Sequence, residues 1–287
     1  LRRRAQAGRG HVKDLRDIAD LRRILVALDA GEQGLADLEE AARLAAGLEA
    51  ELVGLFVEDT ELLEAAGLPV ARVISRHALG DMALDAALMQ RALRVWAARS
   101  RESLAAAASH WQVQWSFRVA RGTLAEQVLS EAGEFDLLAL GRPGGPLREA
   151  RRRSATHSVT EQAQCSVLLL RKGPLAQQPV VVIFEGSERA LAVGRALSRV
   201  YGCRLVVLAA GSDAAAAEAL EEKAAAWLAR HETIGEVDPL AGPEPEALGE
   251  ALRARYAGIV VLDRQGALTP RLEPVLSEAD CSVLVLK

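Results

Sequence analysis

Residues 135–170 read FDLLALGRPGGPLREARRRSATHSVTEQAQCSVLLL, and this stretch decides the fold. A short apolar run, Leu137 to Leu140, meets Gly141 and a loop of Gly, Pro and Arg. A helical segment then leads into a second apolar run, Val167 to Leu170. The order is strand, glycine loop, helix, strand. Glycine is wanted where a backbone must turn sharply or lie against a ligand, and the amides at a helix start are unpaired donors suited to phosphate.

Upstream, Ile24 to Leu28 is a continuous apolar run ending at Asp29 and Gly31, the pattern of a strand buried on both faces. Leu35, Leu38, Ala41, Ala42, Ala45 and Leu48 recur at threes and fours, which predicts a helix stopping near Gly47. Leu52 to Val57 follows as a second strand. Glu58 to Leu79, with Gly67 and Pro69, reads as a partly helical excursion over the strand ends. Asp81 to His110 predicts a long helix whose apolar face uses Leu84, Leu88, Leu93, Val95 and Leu104, with Trp96 packing there too. Val113 to Val119 alternates as a third strand, with Trp115 and Phe117 on one face, and Thr123 caps the next helix. Alternating strands and helices imply a parallel sheet with right-handed crossovers.

Downstream, GPLAQQP at residues 173–179 reads as a linker, after which the pattern restarts. Val180 to Phe184 is a strand, Arg189 to Val200 a helix, Leu205 to Ala209 a strand, and Ala214 to His231 an alanine-rich helix. The sequence also repeats outright. CSVLLL at 165–170 returns as CSVLVL at 281–286, and LLALGR at 137–142 returns as IVVLDR at 259–264. The chain therefore holds two copies of one unit, and the copy at the carboxyl end is shorter between these runs. What it has lost is the glycine loop. The boundaries that follow are a basic tail over 1–20, a first domain over 21–172, a linker over 173–179 and a degenerate second domain over 180–287.

With these residues in view, the chain resembles a tandem universal stress protein. The resemblance implies two Rossmann-like α/β domains, each a five-stranded parallel sheet in the order 3-2-1-4-5 flanked by helices, paired along their last strands as a pseudo-dimer within one chain. It also implies binding of ATP, with Mg, or of AMP. The family's signature is Gly, two residues, Gly, nine residues, then Gly followed by Ser or Thr. Gly141 and Gly144 match the first two glycines, with Arg142 between them. Counting nine onward puts Ser154 and Ala155 at the third glycine and its hydroxyl, whereas counting back from Cys165 puts Arg153 and Ser154 there. Either way that glycine is missing, while Ser154 and Thr156 keep hydroxyls near the expected helix start. The triplet Arg151, Arg152 and Arg153 places positive charge beside them. Asp29 matches the family's acidic residue near ribose and metal, and Val57 its adenine-lining position. A strand-end cap and a core valine are the alternative readings of these two.

The second copy is poorer in such residues. Asp263 replaces the first glycine, Gly266 alone remains, and Thr269-Pro270 follows; Glu185 occupies the place of Asp29. Nucleotide is expected in the first copy only, with the second kept for packing against it. The rival expectation is an interaction module of the same fold in which neither copy binds nucleotide.

Composition narrows the rest. The 35 basic and 39 acidic residues give a net charge of −4, and aromatics make up only 3%, so neither an overall basic excess nor base-stacking platforms mark a nucleic-acid binder. The tail is locally basic, with Arg2, Arg3, Arg4, Arg9, Lys13 and Arg16 against Asp14, Asp17 and Asp20, and has no apolar stretch of a secretory signal. No apolar run is long enough for a bilayer. Cys165, Cys203 and Cys281 lack a CxxC spacing and fit buried thiols in a reducing compartment, hence a cytoplasmic protein. The five histidines show no metal-ligand spacing, and GxSxG, HExxH and GxxxxGK[ST] are absent, so no enzyme is expected. His157 alone lies near the glycine loop. A homodimer is compatible with the resemblance, and no residue selects a protein partner.

Overall fold

The computed structural model describes residues 21–28, 34–66, 72–73, 82–83, 86–141, 158–170, 177–242, 245–266 and 281–287. Its strands are β1 (Arg23–Leu28), β2 (Glu51–Asp59), β3 (Arg72–Val73), β4 (Met82–Ala83), β5 (Trp115–Gly122), β6 (Leu137–Gly141), β7 (Ser166–Leu170), β8 (Val180–Phe184), β9 (Leu205–Gly211), β10 (Glu236–Ala241), β11 (Ile259–Asp263) and β12 (Ser282–Leu286). Named helices are α1 (Gly34–Gly47), α2 (Thr60–Ala66), α3 (Ala86–His110), α4 (Leu124–Ala132), α5 (Glu188–Tyr201), α6 (Ala214–Arg230) and α7 (Pro245–Ala254), and residues 158–162 are also helical.

Ten strands form a single sheet in the order β10-β9-β8-β11-β12-β7-β6-β1-β2-β5, and β3 pairs with β4 apart from it. Read inward from its outer edge, each half has the expected order 3-2-1-4-5. Within a half every pairing of the ten-stranded sheet is parallel. The halves meet antiparallel between β7 and β12, with Leu284 opposite Leu168. That single antiparallel ladder reverses strand direction, so the carboxyl ends of β1 and β8 lie at opposite edges of the sheet.

Alternation along the strands sorts side chains between the two faces. Ile24, Val26 and Leu28 of β1 join Leu137 and Ala139 of β6 on one face, while Leu25 and Ala27 join Leu138 and Leu140 on the other. The first of these faces is covered by α1, α3, α5 and α6, and its core runs without interruption across the seam, from Leu52 and Leu104 through Leu168 and Leu284 to Val207 and Trp227. The opposite face carries two separate cores, one around Val128 of α4 and one around Leu248 and Leu252 of α7. Helix α1 meets α5 across the seam, where a Cβ on Gly47 would lie 2.5 Å from Val200 Cγ1 and the Arg43 guanidinium lies 4.9 Å from the centre of the Tyr201 ring. Burial, and after it Glu40, pushes the Tyr201 hydroxyl well above its ordinary pKa.

Several sequence expectations need correction. The long helix starts at Ala86 rather than Asp81, because Met82–Ala83 is drawn into antiparallel pairing with Arg72–Val73. Its buried side includes Leu93, Leu104, Ala107 and Ala108, whereas Leu88 and Val95 are 44% and 50% exposed. The third strand is shifted to Trp115–Gly122, with Trp115 and Phe117 packed on the continuous core as expected. β10 and α7 have no counterpart in the sequence reading. β10 is an edge strand whose residues are exposed or half-buried, a position in a sheet that tolerates Pro239. Its residues carry no apolar run from which a strand could be read.

Candidate functional site

β1 lies between β2 and β6, so the chain moves outward through β2 and β5 and only then returns to the other side of β1. α1, which follows β1, packs on one face of the sheet, and the segment 158–162, which follows β6, packs on the other. The carboxyl ends of β1 and β6 therefore mark a switch point, the place where open α/β sheets receive ligands. Val57 and Gly141 are the two expected site residues that fall among the described positions. Gly141 closes β6 opposite Leu170 and is half-buried. Val57 lies near the end of β2, is 7% exposed, and packs with Leu25, Leu55 and Leu138 on the face of α4. The two residues share a sheet edge but not a face, since Gly141 continues the alternation toward α1. Asp29, Arg142, Gly144, Ser154, Ala155 and Thr156 lie outside the described residues, as does His157.

The structure adds a residue that the sequence reading missed. Asp37, in the first turn of α1, is 8% exposed, and its carboxylate lies directly over Gly141. A Cβ on Gly141 would overlap Asp37 Oδ2 and come 3.0 Å from its Cγ. A side chain at position 141 would thus have to displace a carboxylate held by another element. Its signal in the sequence was an acid in the first helical turn after β1, where the helix dipole favours negative charge.

The equivalent edge of the carboxyl half is built differently. Asp263 ends β11, and its Oδ1 accepts from the Gln265 amide at 2.9 Å while the Gly266 amide donates to Asp263 O at 3.0 Å. A carboxylate that satisfies its own turn in this way makes a closed Asx-type turn rather than an open loop. Glu185, just past β8, lies against Gly266 so closely that a Cβ there would overlap Glu185 Oε2. Two carboxylates occupy the switch point of this half.

Across the seam, the Arg264 guanidinium reaches residues that follow the amino half's glycine loop. Its Nη1 donates to Ala163 O at 2.5 Å and its Nη2 to Cys165 O at 3.1 Å. The Cys165 thiol beside it is pushed up by burial, with Arg264 and Lys287 pulling the other way. All three cysteines are free; Cys165 and Cys281 are buried and Cys203 is half-buried.

Among the described residues no group of His, Cys, Asp and Glu is arranged to hold a metal ion, and no helix is long and apolar enough to cross a membrane. His110 stacks on Trp111 and His231 on Trp227, which accounts for both as packing residues.

Comparison with known proteins adds the following. The model of the universal stress protein family matches residues 20–171. No curated protein matches the chain. Among solved structures, the chain is similar to a universal stress protein from Archaeoglobus fulgidus, with a TM-score of 0.67 at 14% identity over 92% of this chain and 96% of that one. It is similar to a putative universal stress protein from Pseudomonas aeruginosa, with a TM-score of 0.58 at 18% identity over 94% of each chain. It is also similar to the cytoplasmic domain of a prokaryotic cation chloride cotransporter, with a TM-score of 0.53 at 14% identity over 92% and 94%. At such identities the likeness is one of fold.

Proposed function

Since the chain belongs to the universal stress protein family, we propose that it is a non-enzymatic regulatory protein that binds ATP or AMP in its amino half alone. The halves are two domains over 21–172 and 180–287, and nucleotide occupancy biases contacts with a partner protein in the cytoplasm. The observation that supports this reading is the difference between equivalent strand ends. β6 ends in Gly141, while β11 ends in Asp263, whose side chain closes its own turn and whose charge repels phosphate.

Within this reading Gly141 and Gly144 let the loop backbone approach the phosphates. Ser154, Ala155 and Thr156 supply the amides and hydroxyls that follow, and Asp29 faces the ribose and Mg. Val57 closes the adenine end from within the core. Asp37 favours the rival reading, because a largely buried carboxylate at Gly141 opposes a phosphate unless Mg stands between them. In that rival the protein is an interaction module and neither half binds nucleotide.

Calorimetry with Mg-ATP on the intact chain, repeated on Gly144→Arg, separates the two. The proposal expects heat from the wild type and none from the variant. No heat at millimolar ligand and no co-purified nucleotide leave the interaction module standing. Labelled ATP that stays intact over hours is the result expected of a protein without hydrolase activity.

A further inference from the structure

We infer that Arg264, a residue of the carboxyl half, positions the nucleotide loop of the amino half; this rests on the nucleotide reading above. Arg264 stands one residue past β11, and its backbone amide donates to Leu286 O at 2.9 Å, which fixes it beside the seam. From there its fork spans Ala163 O and Cys165 O of the other half, while Nε is buried with no hydrogen-bond partner. The Ala163 amide donates back to Val159 O at 2.8 Å, so Arg264 grips the carbonyl end of the helical segment 158–162. In the sequence that segment follows the loop of residues 142–157 directly.

Carbonyls at a helix end lack internal donors and carry partial negative charge, so a cation there is favourable. A guanidinium can serve two carbonyls at once in fixed geometry, whereas an ammonium is a compact point charge. The repeat adds an independent argument. Arg142 and Arg264 hold the same place in the two copies, although the residue before them has changed from Gly141 to Asp263. The carboxyl copy has lost the glycine suited to phosphate and retains the arginine, which the structure shows bonded to the other half. The closed turn at Asp263–Gly266 is then the mounting of this side chain rather than the remnant of a pocket.

A ligand bound to that loop also loads the segment Arg264 holds, and linkage makes the effect reciprocal. The test is hydrogen exchange with mass spectrometry on the full chain, with and without Mg-ATP, beside calorimetry, for wild type, Arg264→Lys and Arg264→Gln. Without nucleotide, exchange at the amides of 158–166 should rise about tenfold in both variants, with β1 and β2 unchanged, and Mg-ATP affinity should fall about tenfold. In wild type, Mg-ATP should slow exchange at 264–266 across the seam, an effect a purely structural clamp would not produce and the variants should lose. Unchanged exchange at 158–166 overturns the clamp whether or not nucleotide binds. Raised exchange with unaltered Mg-ATP affinity overturns the positioning role. A wild type that binds no nucleotide overturns the nucleotide reading and that role together, and the exchange of 158–166 still judges the clamp.

Discussion

The amino and carboxyl halves share one strand order, one alternation of faces and one continuous core, yet their switch points differ. In the amino half a glycine ends the fourth strand beneath the carboxylate of Asp37; in the carboxyl half an aspartate ends it and turns back on its own backbone. The difference teaches that the sheet tolerates either ending. Burial of Val180–Phe184 and Ile259–Leu262 is as complete as that of Ile24–Leu28 and Leu137–Leu140. Packing therefore does not choose the loop, and the loop is free to be kept or lost for other reasons.

The comparison breaks first if the halves do not share a core. Leu284 and its cross-seam partner Leu168 are both fully buried, so Leu284→Ala and Leu168→Ala should each cost about 2–5 kcal/mol. Calorimetric melting should show one transition in each case; two separated transitions would mean that the halves unfold independently.

A smaller effect is expected from exchanging the two strand ends. Gly141→Asp meets the Asp37 carboxylate and should lose about 1–3 kcal/mol of stability as well as Mg-ATP binding. Asp263→Gly should lose about 0.5–1.5 kcal/mol with its turn bond. Denaturant unfolding of both variants checks the order, and an equal cost at both ends would erase the asymmetry.

Helix caps sharpen the comparison further. Thr123 Oγ1 accepts from the Glu126 amide at 3.4 Å and donates to the Glu126 carboxylate at 2.8 Å, whereas Ser187 caps α5 without a side-chain bond. Thr123→Ala should cost about 1 kcal/mol and Ser187→Ala only a few tenths, both read by urea titration.

The mildest effect concerns thiol access in the folded protein. Cys203 is half-buried and should be alkylated slowly, with its pKa raised by burial, while Cys165 and Cys281 should react only once the chain unfolds. Mass spectrometry of partly labelled protein gives the order.

Much of the architecture was legible because strands buried on both faces read as unbroken apolar runs, as Val180 to Phe184 does. Pairing along the last strands followed from resemblance, and the observed Leu168–Leu284 ladder agrees with it. β10 was illegible for the opposite reason: an edge strand needs only half a face buried, and Glu236, Asp238 and Pro239 give no periodic signal. At the site, Gly141 could be found because glycine after a strand is a local feature. Asp37 showed in the sequence only as an acid in a first helical turn. Neither its contact with Gly141 nor the reach of Arg264 could be read, since each joins residues distant in sequence that only the folded sheet brings near. The remaining expected ligands, Asp29, Arg142, Gly144, Ser154, Ala155 and Thr156, lie outside the described residues.

The antiparallel seam has one more implication. Two separate chains related by a true dyad must present identical mouths, whatever their partners require. Joined in one polypeptide, the mouths face opposite directions and mutate separately, so a symmetric carrier can become a directional one. One end then carries Gly141 beneath Asp37 and the other the closed turn of Asp263, and the molecule acquires a front and a back.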